Sequence, residues 1–173
     1  MSNSRTVPNP DGGAAAGRCL MQPALHDHLM ERVVAPHNMR RAWRRVKANK
    51  GKPGSDGMPL EDFPAFAREH WAAIRQQLLD GSYRPQPVRR VMIPKRGGGD
   101  RPLGIPNVLD RLIQQAIAQI LGPIFDPQFS ASSFGFRPRC SAHGALRQVQ
   151  AFVKAGFRIA VDLDLAKFLD VAS

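Results

Sequence analysis

Apolar positions along this chain recur mostly at helical spacing. Leu25, Leu29 and Val33 fall a turn apart and predict a helix over Leu25–Val34. Asn38 has the chemistry of an N-cap and opens a second predicted helix, running to Ala48, with Met39, Ala42, Trp43 and Val46 on its apolar face. A third predicted helix spans Pro64–Leu79. Phe66, Ala67, Trp71, Ile74 and Leu78 share one side of it, and Gly81 follows as a stop. The clearest stripe lies in Val108–Leu121, where Leu109, Leu112, Ile113, Ala116, Ile117, Ile120 and Leu121 are unbroken. Arg111, Gln114, Gln115 and Gln119 take the opposite face, Asn107 and Asp110 stand like a capping box, and Gly122-Pro123 is expected to end the helix. A fifth helix, Ser141–Gly156, aims Ala142, Leu146, Val149 and Val153 at a core and carries His143, Arg147, Gln150 and Lys154 on a separate stripe.

Two stretches break this period. Val88–Ile93 and Leu103–Ile105 are β-prone runs around Pro94-Lys95-Arg96-Gly97-Gly98-Gly99-Asp100-Arg101-Pro102, which predicts a hairpin with a glycine-rich, basic tip. Such a tip suits phosphate contact, and it equally suits an ordinary solvated hairpin. Arg158–Leu165 alternates strictly and predicts a strand, with Ile159, Val161, Leu163 and Leu165 on one side and Ala160, Asp162 and Asp164 on the other. Acids are disfavoured in strands, so this face is either a divalent-cation site or a solvent-facing edge. Between the last two helices, Ser130–Arg139 sets Phe134 and Phe136 beside Arg137 and Arg139. That mixture can stack bases and clamp phosphates, or it can plug the loop's own core.

Charge changes the picture. The 173 residues carry a formal net charge of +11, and 43% of them are hydrophobic, so a packed core and a polyanionic partner are both expected. On the second predicted helix Arg40, Arg41, Arg44, Arg45 and Lys47 crowd one surface with no acid among them. That self-repulsion asks for a counter-charge. Asn49–Gly57 follows as a basic, turn-rich loop, and residues Met1–Gly17 have the composition of a disordered tail. Cys19 and Cys140 stand far apart, which disfavours a disulfide, and His26-Asp27-His28 lacks the further ligands a zinc site wants. There is no run of about 18 apolar residues and no signal-peptide pattern. The expected partners therefore include no membrane, and the expected compartment is the cytoplasm.

Specific motifs then narrow the class. Arg101-Pro102-Leu103-Gly104-Ile105-Pro106, Asp110-Arg111 with Gln114, and Ser133-Phe134-Gly135-Phe136-Arg137-Pro138 with Ser141-Ala142-His143 resemble the fingers of group II intron-encoded reverse transcriptases. Ala42-Trp43, Val46, Asn49-Lys50-Gly51, Gly54 and Asp56-Gly57 are similar to that family's N-terminal extension, and Val161–Leu165 with Lys167-Phe168 and Asp170 to its first palm motif. The resemblance covers about Asn38–Asp170. It implies an α+β, right-hand polymerase layout: a disordered tail over 1–24, an N-terminal helical extension over 25–86, fingers over 87–157, and the start of a palm over 158–173, truncated.

The resemblance also implies site residues. Asp164 would be the catalytic carboxylate and, with Leu165, a ligand of Mg2+. Lys95, Arg101 and Leu169 would meet the incoming deoxynucleotide triphosphate. Arg40, Arg41, Arg44, Arg45, Lys50, Arg111, Gln114, Arg137 and Arg147 would hold RNA. The implied partners are intron or template RNA and an RNA–DNA hybrid, with a homodimer as a candidate assembly. Three departures stand out. The chain has no Asp-Asp dipeptide, Phe168-Leu169 replaces the usual aromatic pair, and Cys140 sits where the family commonly has Arg. Two metal ions need more carboxylates than one strand holds. The expectation is an RNA-directed DNA polymerase by family that is inactive alone, with a non-catalytic RNA-binding module or a gene remnant as the alternative. A helix-turn-helix DNA binder would explain the basic helices but neither the hairpin nor the paired acids.

Overall fold

The computed structural model describes residues 28–95 and 97–163. The order of elements is α1 (Leu29–Val33), α2 (Pro36–Ala48), α3 (Phe63–Leu79), β1 (Arg89–Pro94), β2 (Asp100–Ile105), α4 (Val108–Phe125), a 3-10 turn (Asp126–Gln128) and α5 (Ala142–Lys154). The chain is thus α+β, with helices and one two-stranded antiparallel sheet among the described residues. It divides into two compact units, the first reaching Leu121 and the second starting at Gly122.

In the first unit α1, α2, α3 and the start of α4 enclose one apolar core. Val33, Val34, Ala42, Phe63, Ile74, Leu78, Val108, Leu112, Ile113 and Ala116 are buried in it. Each large aliphatic side chain so buried contributes roughly 1.5–3 kcal/mol. The predicted faces of α2, α3 and α4 supply most of these residues, because one turn-spaced stripe per helix suffices to meet two neighbours.

The start of α2 differs from expectation. The helix begins at Pro36, whose fixed φ and missing N–H suit the first helical position, after an extended Ala35. Asn38 therefore lies inside the helix and 3% exposed. Its Nδ2 donates to the carbonyls of Val33 (2.8 Å) and Ala116 (3.1 Å). Gln119, placed by period on the outer face of α4, is also buried, because it donates back to Asn38.

The expected capping box of α4 is likewise replaced. Asn107 Oδ1 accepts from the backbone N–H of Ser55 at 2.8 Å and from the Ser55 hydroxyl at 3.1 Å. Asp110 accepts from the Tyr83 hydroxyl at 2.7 Å and from the Gln86 N–H at 3.3 Å. Both side chains pin crossing segments to the start of α4. At its other end α4 continues through Gly122-Pro123 to Phe125. Pro123 has no N–H to offer the carbonyl four residues back. Buried Ile124, just beyond it, keeps the last turn anchored.

The hairpin forms as expected, with Val91 opposite Leu103 and Ile93 opposite Arg101. The turn closes where the Lys95 N–H donates to the Gly99 carbonyl. Gly98 and Gly99 adopt φ of 90° and 75°, which only glycine accepts without strain.

In the second unit Ser141, expected as the first residue of the helix, is instead the N-cap of α5, its hydroxyl accepting from the Gly144 N–H at 3.1 Å. Its apolar stripe is not a core face, however. Leu146, Val149 and Val153 are all more than half exposed. The predicted strand over Arg158–Leu165 is absent over residues 158–163, where Ile159, Val161 and Leu163 are 78–90% exposed. A strand is made by the neighbour that takes its hydrogen bonds, and alternation alone does not supply one. Asp164, Leu165 and Leu169 lie outside the described residues, as do Leu25, the tail and Arg96.

Candidate nucleic-acid interface

The C-terminal turn of α2, the basic loop after it and the outer side of α4 meet in a cleft of about 330 Å³. It is lined by Val46, Asn49, Arg111, Gln114, Gln115 and Ala118. Loop geometry creates it. Lys50 takes a left-handed φ of 47°, which turns the chain sharply after α2. The loop then crosses α4 closely enough that a Cβ on Gly51 would collide with the Arg111 guanidinium. Three residues on, a Cβ on Gly54 would meet Asn107, whose Cα would be 2.6 Å away. Glycine at both positions lets backbone rest directly on α4.

Arg111 is the unusual member. Its Nε and Nη2 are buried and have no hydrogen-bond partner. Burial pulls its pKa below the ordinary arginine value, and the charge of Asp56 works in the opposite sense. Three carboxamides, those of Asn49, Gln114 and Gln115, line the cleft with it. A cation with unfilled donors beside neutral donors and acceptors is suited to a phosphate and the polar edges next to it.

The other expected RNA-contacting residues fall into groups. Arg40, Arg41, Arg44 and Arg45 are exposed along α2, and Lys50 is exposed beside the cleft. Lys95 and Arg101 flank the hairpin tip, both exposed. Arg101, opposite Ile93, shares the face of Val91 and Leu103. In the second unit Arg147 is exposed and its Nε donates to the His143 carbonyl.

Arg137 behaves differently. Its Nε donates to Asp126 Oδ1 at 2.8 Å, its Nη1 to the carbonyls of Ser130 and Ser133, and its Nη2 to the Asp126 carbonyl. Its guanidinium also lies 5.3 Å from the centre of the Phe129 ring. The fork is filled from inside, so Arg137 shapes the 126–137 loop. That bond to Arg137 holds the Asp126 carboxyl below the usual carboxylate range. Within the same loop Phe134 packs against Gly144 at the start of α5, while Phe136 is fully exposed at a φ of 55°.

Sequence reasoning passed over Asn49 and Gln115 as cleft members. The loop's Asn-Lys-Gly run was the available signal for the first, and adjacency to Gln114 for the second. Among the described residues no group of three or more His, Cys, Asp or Glu side chains converges on a point where a metal could be held. Cys140 is a free thiol. No helix among the described residues is long and apolar enough to cross a membrane.

Comparison with known proteins gives a concordant picture. Residues 93–171 match the family described as reverse transcriptase (RNA-dependent DNA polymerase). Protein YkfC of Escherichia coli is 38% identical over 131 residues, which is 74% of this chain and 34% of that protein. The group II intron-encoded protein LtrA of Lactococcus lactis is 42% identical over 110 residues, 63% of this chain and 18% of that one. A putative COX1/OXI3 intron 1 protein of Saccharomyces cerevisiae is 33% identical over 134 residues, 76% and 16%. The chain spans about a third or less of the length of these curated relatives. With its motifs in the family's order, and relatives of this kind over most of its length, the chain belongs to the group II intron-encoded reverse transcriptase and maturase family.

Proposed function

We propose that these residues form the template-gripping front of an RNA-directed DNA polymerase of the group II intron type. In this reading residues 25–86 are the N-terminal extension, 87–157 the fingers of a right-hand polymerase, and 158–173 the start of its palm. The observation that carries it is the Arg111 cleft. Two buried guanidinium nitrogens without partners are costly unless an anion fills them, and a cost of about 1–3 kcal/mol per unsatisfied group is large for a small unit. A template phosphate on Arg111, with Asn49 and Gln114 on the adjoining sugar or base, removes that cost. The exposed arginines of α2 add sequence-independent attraction.

The hairpin fits a role against the triphosphate of an incoming deoxynucleotide. Lys95 and Arg101, both exposed, bracket a tip shaped by the left-handed Gly98 and Gly99, so two cations stand together at its base. Leu169 would stand beside that nucleotide. Asp164, with the carbonyl of Leu165, would supply one side of a Mg2+ site that binds attacking and leaving oxygens in the complete enzyme. The donors of this chain do not by themselves fit a two-ion site. Asp162 and Asp164 belong to one segment, the sequence has no Asp-Asp pair, and among the described residues no three His, Cys, Asp or Glu side chains converge. Chemistry is therefore not assigned to these 173 residues alone. They bind intron or template RNA, and an RNA–DNA hybrid, in a cytoplasmic setting, as monomer or homodimer.

The test is RNA binding by the full chain, followed by polarisation of a labelled RNA across a salt series. Affinity should fall steeply with salt. Arg111→Gln should weaken binding by about ten-fold, the worth of one charge-assisted contact. Salt-independent binding, or an Arg111→Gln chain that binds as tightly as the parent, refutes the reading. Primer extension by this chain alone with magnesium would refute the inactive-alone part.

A further inference from the structure

A larger cleft, of about 740 Å³, lies between α2 and α3. Its floor is apolar and its walls hold Trp43 and Trp71, with Arg40, Arg68 and Arg75 around them. Trp43 is braced from behind by Phe63, ring centres 4.9 Å apart. Both indoles are only half-buried, and all three arginines are exposed. No acidic side chain lines the cleft, although Arg75 is within electrostatic reach of Glu31. In the prediction from periodicity these tryptophans were core residues. In the structure each shows part of its ring to solvent.

We infer that the Trp43–Trp71 cleft is a stacking site for unpaired nucleobases of a single-stranded RNA segment, with Arg40, Arg68 and Arg75 on the flanking phosphates. Large indole faces with guanidinium forks around them are the combination that binds single strands without regard to sequence. A leucine-rich protein helix would also value the apolar floor. The distribution of charge favours nucleic acid instead. Trp43 borders a second cleft of about 570 Å³ that contains Lys47 and Lys50 against a single acid, Glu61, and Lys50 adjoins Asn49 of the Arg111 cleft. Cations thus continue around α2 from one cleft to the next. A strand with a phosphate on every residue matches that run, whereas a peptide would need acids in the same register. The choice of ligand rests on the RNA-binding reading above, but the site is separate from the Arg111 cleft.

The chain's two tryptophans both line this cleft, so tryptophan emission reports on it and on the adjoining cleft that Trp43 also borders. The full chain is titrated with a labelled single-stranded adenosine oligomer, with an abasic oligomer of equal phosphate count, and with an acidic amphipathic helical peptide. Polarisation and tryptophan emission are followed together. The expected result is that the adenosine oligomer quenches the emission as it binds. The abasic strand should bind at least about ten-fold more weakly and leave the emission unchanged. Arg68→Gln with Arg75→Gln, which alters only exposed side chains, should weaken the quenching titration several-fold. Trp71→Leu should lower affinity for the adenosine oligomer but not for the abasic one. RNA that binds without quenching, with both variants unaffected, overturns the stacking site and leaves the RNA-binding reading standing. An emission change produced by the peptide and not by RNA overturns it in favour of a protein partner. Failure of any RNA to bind overturns both.

Discussion

Gln119 donates its Nε2 proton to Asn38 Oδ1 at 2.8 Å, across 81 positions of sequence, and the pair is buried between α2 and α4. Asn38 in turn donates to carbonyls at the end of α1 and inside α4, so one carboxamide joins three helices. Asn38→Ala should leave one Gln119 N–H and the Val33 acceptor without their partner, Gln119 keeping its bond to the residue 38 carbonyl, and destabilise the first unit by about 1–3 kcal/mol in a urea melt. Asn38→Ala combined with Gln119→Leu should recover part of that loss, since it removes the unpaired Gln119 amide, the Val33 carbonyl still lacking its donor. A single variant as stable as the parent would show that the network contributes nothing.

A second expectation concerns the loop against α4. Gly54→Ala places a methyl group on the backbone of Asn107, which cannot move without shifting the helix start. The cost should be about 1–3 kcal/mol, as for other overpacked sites. Gly51→Ala meets only the end of the Arg111 side chain. It should leave the melting profile nearly unchanged and weaken RNA binding instead. Equal stability losses for the two would contradict the contrast.

Tyr83 is the chain's single tyrosine, which makes its titration readable in the absorbance of the phenolate. Burial, and then its hydrogen bond to Asp110, push the phenol pKa up from the ordinary 10.0. A raised folded pKa means stability that is complete below pH 10 and lost as pH rises beyond it. The phenol should resist ionisation until the chain unfolds. Asp110→Asn should bring its titration closer to the ordinary value. Ionisation at the ordinary value in the folded parent would contradict the Tyr83–Asp110 bond.

The Asp126–Arg137 pair sets the opposite sign. The depressed Asp126 carboxyl contributes stability that is present above its ordinary 3.8 and is lost as pH falls through its lower folded value. The hydrogen-exchange protection of the 126–137 loop, corrected for the intrinsic pH dependence of exchange, should be flat between neutral and mildly acidic pH and should fall below about pH 4. Asp126→Asn should exchange faster at neutral pH and lose that acid limb. An acid limb that persists in the variant would assign it to another group.

How far the sequence foretold this follows from what each residue needed. Helix α3, the hairpin and the start of α5 near Ser141 depend on neighbours a few residues away, and their patterns were legible. Asn38 was misplaced because a cap-forming residue two places after a proline yields the first position to the proline. Gln119 and the capping pair Asn107 and Asp110 were misassigned because their partners lie far away in sequence, where periodicity carries no information. The strand over residues 158–163 failed for a related reason, since its missing requirement was another strand. At the candidate site Arg111 and Gln114 were legible through motif resemblance. Asn49 and Gln115 were not, because membership of a cleft is decided by how the loop lies over α4. The Trp43–Trp71 cleft was hidden because half-burial and full burial leave the same helical period.

The stripe of Leu146, Val149 and Val153 on α5 has a practical corollary. It is greasy surface on a molecule whose copies repel one another through a charge of +11. Added electrolyte shortens the reach of that repulsion to about 10 Å at 0.1 M while leaving the grease untouched. The buffer that strips contaminating nucleic acid from this protein during purification is then also the one in which it is most prone to clump. A dilute preparation in moderate salt is the safer compromise.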